Sequence, residues 1–421
     1  VKALLLTLGT RGDVQPFVAL ARGLAAAGHD VLLAAPHRFT AFAERHGVPF
    51  AGLDDGPMRL MDTGSAVGDV ATGGMAAKLA LARRLPSMFT QVLDDAWTVT
   101  SDHHPDLIIH NGQVMAGQHV AERLGRPAVL GLPIPMFVPT REFPWPGQPM
   151  PALMPNRATY LGMKGPSVMF GRTIDRWRAS LGLPKRPGRH DPLRAPDGSP
   201  APVLHAISPH VLPRPADWPA AAGMTGYWFL TDPEPRPLPR PLAEFLDAGA
   251  PPVFIGFGSM SGTDPAATTA TVVAAARQAG VRAVIGTSWG GLTGAGDQAG
   301  DVFTVDEVPY EQLFPKVAAV IHHGGAGTIA AAAAAGRPQV VCPFVADQPF
   351  WGRHMHRLGV AAEPIHQRAL APDRLAHAIG QVVADPAITT AAERLGRLVR
   401  AEDGVGEAVR QLEGIAAPHR R

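Results

Sequence analysis

At 421 residues the chain exceeds what one ordinary hydrophobic core supports, which favours two domains of roughly 200 residues each. With 46% hydrophobic and 18% charged residues it excludes global disorder, and a formal net charge of +2 without any long Lys/Arg run excludes a phosphate-tracking nucleic-acid surface. The single cysteine, Cys342, excludes an intramolecular disulfide; its apolar setting at 340–344 reads as a buried strand and fits a reducing cytoplasm. No apolar run approaches the roughly 20 residues that span a bilayer.

Residues 3–8 are apolar and end in Gly9-Thr-Arg-Gly-Asp13, which reads as a strand and turn rather than a signal sequence. Phe17, Leu20, Ala21 and Leu24 follow at helical spacing, with Pro16 near the helix start and Gly28 after its end. Strands are expected at 31–35 and 48–53, with a helix around 41–44 between them. The rhythm repeats with a strand at 107–110, a helix over 114–124 closed by Gly125, and a strand at 128–132. Residues 136–161 hold too many prolines for a regular element and read as loops, as does the proline-dense stretch 184–241. A second series begins with strand 253–257, helix 266–278, strands 281–285 and 302–305, and a short helix over 311–317. It continues through strand 319–321, a glycine turn, an alanine-rich helix and strand 339–344; residues 371–416 are helical in pattern. Alternating strands and helices in both halves predict an α/β protein of two Rossmann-like, doubly wound domains facing across a cleft, with ligands at the carboxyl ends of the strands.

Three constellations carry chemistry. His322-His323-Gly324-Gly325-Ala326-Gly327-Thr328 joins an apolar strand to a helix of nearly pure alanine. Glycines there let backbone amides approach an oxyanion, and the helix directs its open N–H groups and positive end at it, a cradle for a diphosphate. The plainer reading is a strand-to-helix turn whose glycines only permit tight packing. Asp347-Gln348 opens a later helix and offers acceptors and a donor for neighbouring sugar hydroxyls; alone, Asp347 reads first as a helix cap, and only in company with the glycine turn as a sugar clamp. Asp13 is a helix N-cap on the plain reading and, on the sharper one, a general base at the cleft. Gly9-Thr-Arg-Gly12 lacks the Gly-x-Gly-x-x-Gly pattern, which weakens a dehydrogenase reading.

Taken together, Gly9–Pro16, Phe254–Met260, Val308-Pro-Tyr310, His322–Thr328 and Ala346–Trp351 resemble the GT-B glycosyltransferases of the UDP-glycosyltransferase superfamily (family 1), in the bacterial natural-product and sterol glucosyltransferase-like branch. The segments run in the family order over nearly the whole chain. The resemblance implies a GT-B fold with an acceptor-binding domain at 1–222, a nucleotide-sugar-binding domain at 223–400, and a last helix at 401–421 crossing back to the first domain. It places Asp13 at the catalytic-base position and Ser259, Gly325, Ala326, Gly327 and Thr328 around the diphosphate. Val308 falls near the base, and Asp347 and Gln348 at the sugar. Aligning on the glycines puts the phosphate-binding histidine at His322 rather than His323; adjacent strand residues point to opposite sides, so only one faces the donor. The plant-type ribose-binding Glu is replaced by Ala330 and the base-stacking Trp by Glu307, so either a UDP- or a dTDP-sugar is implied. No catalytic metal or other cofactor is implied.

The expected reaction is a single in-line displacement with inversion, moving a hexose or deoxyhexose to a hydroxyl of a lipophilic acceptor, a macrolide, polyketide or other natural product. His110 and Asn111, at a strand end, assist or only line the cleft. Met136, Phe137 and Trp145, with Met58, Met61, Met75, Met88, Met150 and Met154, suggest an adaptable apolar acceptor site; ordinary core packing is the alternative for any one of them. A sterol or glycolipid glycosyltransferase is the nearest alternative. An epimerase or phosphorylase of the same fold would lack the Gly-Asp-Val-x-Pro loop, and an inactive auxiliary protein of the family would typically have lost Asp13, His322, Asp347 or Gln348. Oligomeric state is left open.

Overall fold

The computed structural model describes residues 1–62, 75–147, 153–185, 188–232, 237–258, 264–287, 292–294 and 300–417; side chains are described outside 60–62, 75–85, 164, 166 and 167. The first half holds strands β1 (Lys2–Leu6), β2 (Asp30–Pro36), β3 (Phe50–Leu53), β4 (Leu107–His110), β5 (Ala128–Leu132), β6 (Val203–His205) and β7 (Ala222–Met224). They form one parallel sheet in the order β3-β2-β1-β4-β5-β6-β7. The second half holds β8 (Val253–Gly256), β9 (Ala283–Gly286), β10 (Val302–Val305), β11 (Val320–His322) and β12 (Gln339–Val341), parallel in the order β10-β9-β8-β11-β12. The central strands are apolar on both faces, as a sheet covered by helices on each side requires. Because β7 pairs with β6, the first sheet runs to Met224, two residues beyond the boundary expected at 222.

Each sheet reverses its winding once, between β1 and β4 in the first and between β8 and β11 in the second. A crevice opens at such a switch point, outside the carboxyl ends of the two strands. Four loops therefore define the ligand-facing region: those after β1 and β4 in one half, and those after β8 and β11 in the other.

The main helices are α1 (Arg11–Ala26), α2 (Met75–His103), α3 (Gly117–Leu124), α4 (Lys164–Ser180), α5 (Pro265–Gln278), α6 (Ala326–Ala335), α7 (Gln348–Arg357), α8 (Pro372–Ala384), α9 (Pro386–Arg400) and α10 (Gly404–Ala416). Helix α1 buries Val14, Phe17, Val18, Leu20, Ala21 and Leu24, the stripe its spacing predicts. It begins earlier than the position of Pro16 suggests. Pro16 lies inside the helix, where its missing N–H leaves the Gly12 carbonyl without an i+4 donor. Helix α3 begins at Gly117 rather than 114, so 111–116 is a longer loop at the end of β4.

Among the described residues, two buried apolar clusters span the two halves. Helix α10 inserts Ala408, Val409, Leu412 and Ala416 into the same buried cluster as Phe17, Leu20 and Leu24 of α1. Val405 lies over Gly23, and His29 Nε2 meets Glu413 Oε1 at 2.9 Å. Burial of a Leu such as Leu412, fully enclosed here, stabilises by roughly 1.5–3 kcal/mol. A second cluster brings Val138, Phe143 and Trp218 together with Ile329, Phe350, Trp351, Leu395 and Val399. In it the Phe143 and Phe350 rings stand 5.2 Å apart, and His354 Nε2 donates to the Val211 carbonyl at 2.6 Å. Among the described residues no helix is long and apolar enough to cross a membrane.

Candidate active site

Asp13 occupies the third position of α1, and Thr10, not Asp13, is the N-cap. The Thr10 amide donates to Asp13 Oδ2 at 2.8 Å and the Thr10 hydroxyl meets the same oxygen at 3.2 Å, a reciprocal cap of the helix start. Gly9 makes this approach possible: its φ is +142°, and a Cβ there would overlap the Asp13 carboxylate. Burial pushes the Asp13 pKa above the ordinary carboxylate value, opposed by the hydrogen bonds from the Thr10 amide and hydroxyl. Both Thr10 bonds end on Oδ2, so capping leaves the carboxylate with acceptor capacity for a substrate hydroxyl.

The loop after β4 stands beside Asp13. Asn111 Oδ1 accepts from the Leu8 and Val114 amides, and its Nδ2 donates to Thr7 Oγ1, the Leu8 carbonyl and Gln113 Oε1. Asn111 is thus the clasp between the β1 and β4 loops. Its neighbour His110 is fully enclosed, with burial pushing it down to about 4, so it is neutral and structural. Met115 holds a left-handed φ of 56°, which ends the helical path that the apolar spacing at 114–124 suggests. The Phe137 ring lies against Gly112, which puts it at this loop. Met136 is half-buried beside it. Trp145 packs over Gly147 and Gly162 and donates its backbone N–H to Thr159 Oγ1 at 2.7 Å, so it braces its own loop. Met58 is buried; the side chains of Met61 and Met75, and all of Met150, lie outside the described residues.

On the donor side, β11 runs one residue further than its apolar pattern indicates, and this exchanges the expected placement of the paired histidines. His322 belongs to the strand and is sealed inside. Its Nδ1 accepts from the Gly324 amide at 3.1 Å, so the proton is on Nε2, which meets Gln339 Oε1 at 3.0 Å. Burial pushes His322 down to about 3, and no ring nitrogen is left for a donor molecule. His323 is the one at the turn, with its ring between Gly258 and Gly325; a Cβ on Gly325 would crowd its Nε2. Burial pushes it down to about 4. Counted from His323, the eighth residue is Ala331, again without a carboxylate.

Gly325 caps α6 with an extended ψ of 138°, and its carbonyl takes the Thr328 and Ile329 amides. The amides of Ala326 and Gly327 have no acceptor within the helix, and Gly327 is exposed. This is the geometry of an anion site at a helix start. Ser259 lies outside the described residues.

Asp347 follows Ala346, a non-glycine residue at φ 56°, and immediately precedes α7. Its Oδ2 accepts from Trp351 Nε1 at 2.9 Å. Burial pushes Asp347 up to about 6, partly opposed by hydrogen bonds, and the negative charge of Asp13 adds to the rise. Gln348 is buried, and its Oε1 is taken by the Phe344 and Val345 amides at 2.8 and 3.2 Å, so only its NH2 remains for a ligand.

A raised acid is a cost to the fold once ionised. For Asp347 that cost is absent below the unfolded value, near 4, and grows as pH rises to about 6. Asp347→Asn is therefore expected to raise Tm by about 2–5 °C at pH 7.5 with little effect at pH 4.5, while lowering transfer. Melting curves at the two pH values check this.

Val308 is half-buried against Leu313 and Phe314. Beside it, Glu307 Oε1 accepts from Arg11 Nη1 at 2.6 Å, and the Arg11 guanidinium lies over the Phe42 ring at 5.1 Å. Exposed ion pairs of this kind contribute about 0–1 kcal/mol. The pair nonetheless links the loop that carries Asp13 to the segment that carries Val308. Thr10, the Arg11–Glu307 pair and the role of His323 are not identified by sequence reasoning. Of these, only the Thr10-x-x-Asp13 spacing carried a signal, that of a capping box.

Comparison with known proteins identifies the family of this chain. The glycosyltransferase family 28 N-terminal domain profile matches residues 3–138, and the profile of the erythromycin biosynthesis protein CIII-like C-terminal domain matches 283–415. The chain is 36% identical over 422 residues to the O-mycaminosyltylonolide 6-deoxyallosyltransferase of Streptomyces fradiae, covering 97% of this chain and 96% of that protein. It is 32% identical over 428 residues to a sterol 3-beta-glucosyltransferase of Emericella nidulans, with 98% of this chain matched but only 30% of that much longer protein. The solved glycosyltransferase VinC, in complex with dTDP, shares the fold at a TM-score of 0.68 and 21% identity over 99% of this chain and 100% of that one. The chain belongs to the GT-B glycosyltransferases of the UDP-glycosyltransferase superfamily, and it is a glycosyltransferase related to macrolide glycosyltransferases and sterol glucosyltransferases.

Proposed function

We propose that the protein moves a hexose or deoxyhexose from a UDP- or dTDP-sugar to a hydroxyl of a lipophilic small molecule with inversion at the anomeric carbon. The observation that carries this reading is the placement of Asp13 in the first turn of α1, after β1, and of the open start of α6 after β11, each at the switch point of its own sheet. Asp13 takes the proton of the acceptor hydroxyl as its oxygen bonds to the anomeric carbon. The bond from that carbon to the diphosphate breaks on the opposite face, and the leaving charge falls on the amides of Ala326 and Gly327 and on His323. Asp347 and the Gln348 NH2 hold the sugar hydroxyls, and the segment at Val308 meets the base. Met136 and Phe137 form part of the acceptor wall.

Two relatives support a dTDP-deoxysugar donor and a macrolide-like acceptor: a 6-deoxyallosyltransferase acting on O-mycaminosyltylonolide, and a solved glycosyltransferase holding dTDP. The sterol glucosyltransferase relatives support a second reading, UDP-glucose and a sterol. Calorimetric titration with dTDP and with UDP separates them. Tighter dTDP binding, by tenfold or more, is the expected outcome; a UDP preference turns the reading to the sterol class, and binding of neither removes the UDP- or dTDP-sugar as donor.

A further inference from the structure

Asp347 stands where a helix start ordinarily takes a carboxylate for its own open amides, yet it caps nothing. It occupies the N-cap position of α7, and its side chain makes no cap hydrogen bond. Pro349, the second residue of the helix, has no N–H to offer it. The carboxylate is met instead from one turn further on, where the Trp351 indole N–H donates to Oδ2 at 2.9 Å. An indole nitrogen only donates, so the direction of this bond follows from the ring itself. Trp351 is fully enclosed, in the cluster that Val138, Phe143 and Trp218 of the first half share with Phe350 and Leu395 of the second. The Phe350 ring stands edge-on to it at 5.2 Å and the His354 ring at 6.1 Å. A ring packed in this way has one place for its N–H, and the oxygen it holds is fixed with it.

From this we infer that Trp351 is a positioning residue for the donor sugar: its indole N–H holds Asp347 Oδ2 and so presents Oδ1 to a sugar hydroxyl. The inference rests on the reading of Asp347 as a sugar ligand. Trp351 has no exposed surface, touches no substrate atom and acts only through Asp347. An unheld carboxylate turns about two side-chain torsions, and a hydroxyl that binds it must freeze both; the indole freezes them before the donor arrives. The neighbouring Gln348 is prepared in the same manner, its Oε1 tied to the Phe344 and Val345 amides and its NH2 left over. Both side chains thus have one end fastened to the protein and one end presented. The diphosphate and base contacts lie on other elements, at the start of α6 and after β10. Loss of the indole bond is therefore felt by a nucleotide sugar and not by the nucleotide alone.

The test compares Trp351→Phe, Asp347→Ala and the double variant in the full chain. Calorimetric titration gives the affinity of each for dTDP and dTDP-glucose, and for UDP and UDP-glucose; the ratio within a pair isolates what the sugar adds. Trp351→Phe keeps a ring in the cluster and removes the N–H. It is expected to lower the ratio by about three- to tenfold, with affinity for the bare nucleotide within about twofold. In the Asp347→Ala background the same change is expected to leave the ratio where Asp347→Ala alone puts it, since the carboxylate to be positioned is gone. Replacement of Trp351 by benzothienylalanine puts sulfur in place of the N–H at nearly unchanged shape; it is expected to repeat the Trp351→Phe result, and it decides the matter if the smaller ring does not fold. A merely structural Trp351 would weaken nucleotide and nucleotide sugar alike. A ratio unchanged by both replacements of Trp351, or an equal loss in the Asp347→Ala background, overturns the proposal while the reading of Asp347 stands. A ratio unmoved by Asp347→Ala overturns that reading, and the proposal with it.

Discussion

Asp13→Asn is expected to lower kcat/KM for glycosyl transfer by about 10²–10⁴, the range set by loss of a general base, while the affinity for the donor nucleotide stays within about twofold. The substitution is nearly isosteric, and the Asn oxygen can still accept the Thr10 amide, so the cap of α1 survives. What is lost is basicity, because a carboxamide does not take up a proton near neutral pH. The wild-type rate should fall on the acid side through the raised Asp13 midpoint, since protonation of the carboxylate removes the acceptor; the variant should lack that limb. Removing the charge also relieves Asp347, whose own midpoint is expected to drop below about 6. Initial rates across pH for both proteins measure the first effect. A matching loss of nucleotide affinity would instead assign Asp13 to the architecture of the cleft.

The paired histidines should separate by kind of damage. His323→Ala removes the ring between Gly258 and Gly325 and is expected to weaken dTDP binding by about ten- to thirtyfold, the worth of one hydrogen bond to a charged group, with Tm near wild type. His322→Ala strands two enclosed groups, the Gly324 N–H and Gln339 Oε1, at a cost of about 2–4 kcal/mol. Its Tm is expected to fall by several degrees. Calorimetry with dTDP and thermal melts on the two variants read out both effects. A large affinity loss in His322→Ala at unchanged Tm would return the donor role to the strand residue.

Why the sequence placed that role one residue early is a matter of where a strand stops. Apolar Ala319, Val320 and Ile321 indicate an end at Ile321, but β11 pairs with β8 and β12 through His322. One residue more or less exchanges the inward and outward faces. The rhythm of strands and helices was legible, since each crossover helix and buried strand leaves its own period in the chain. So was the glycine turn between β11 and α6, because glycines between an apolar strand and an alanine-rich helix mark where one element ends and the next begins. The loop at 111–116 was hidden: Val114 and Ala116 fit a helical stripe, and only the backbone of Met115 breaks it. The Arg11–Glu307 pair joins residues far apart in the chain, and no local pattern encodes such a meeting.

Helix α10 has a bearing on how the molecule is made. The buried cluster around Phe17, Leu20 and Leu24 is closed by Ala408, Val409 and Leu412, from the other end of the described chain. During synthesis the first sheet can assemble as it leaves the ribosome, but one flank of α1 stays uncovered until residues 404–416 have been translated. Hybrids that join the front half of this enzyme to the back half of a relative inherit the same dependence. Their last helix has to be chosen to suit α1 rather than the sheet from which it is translated.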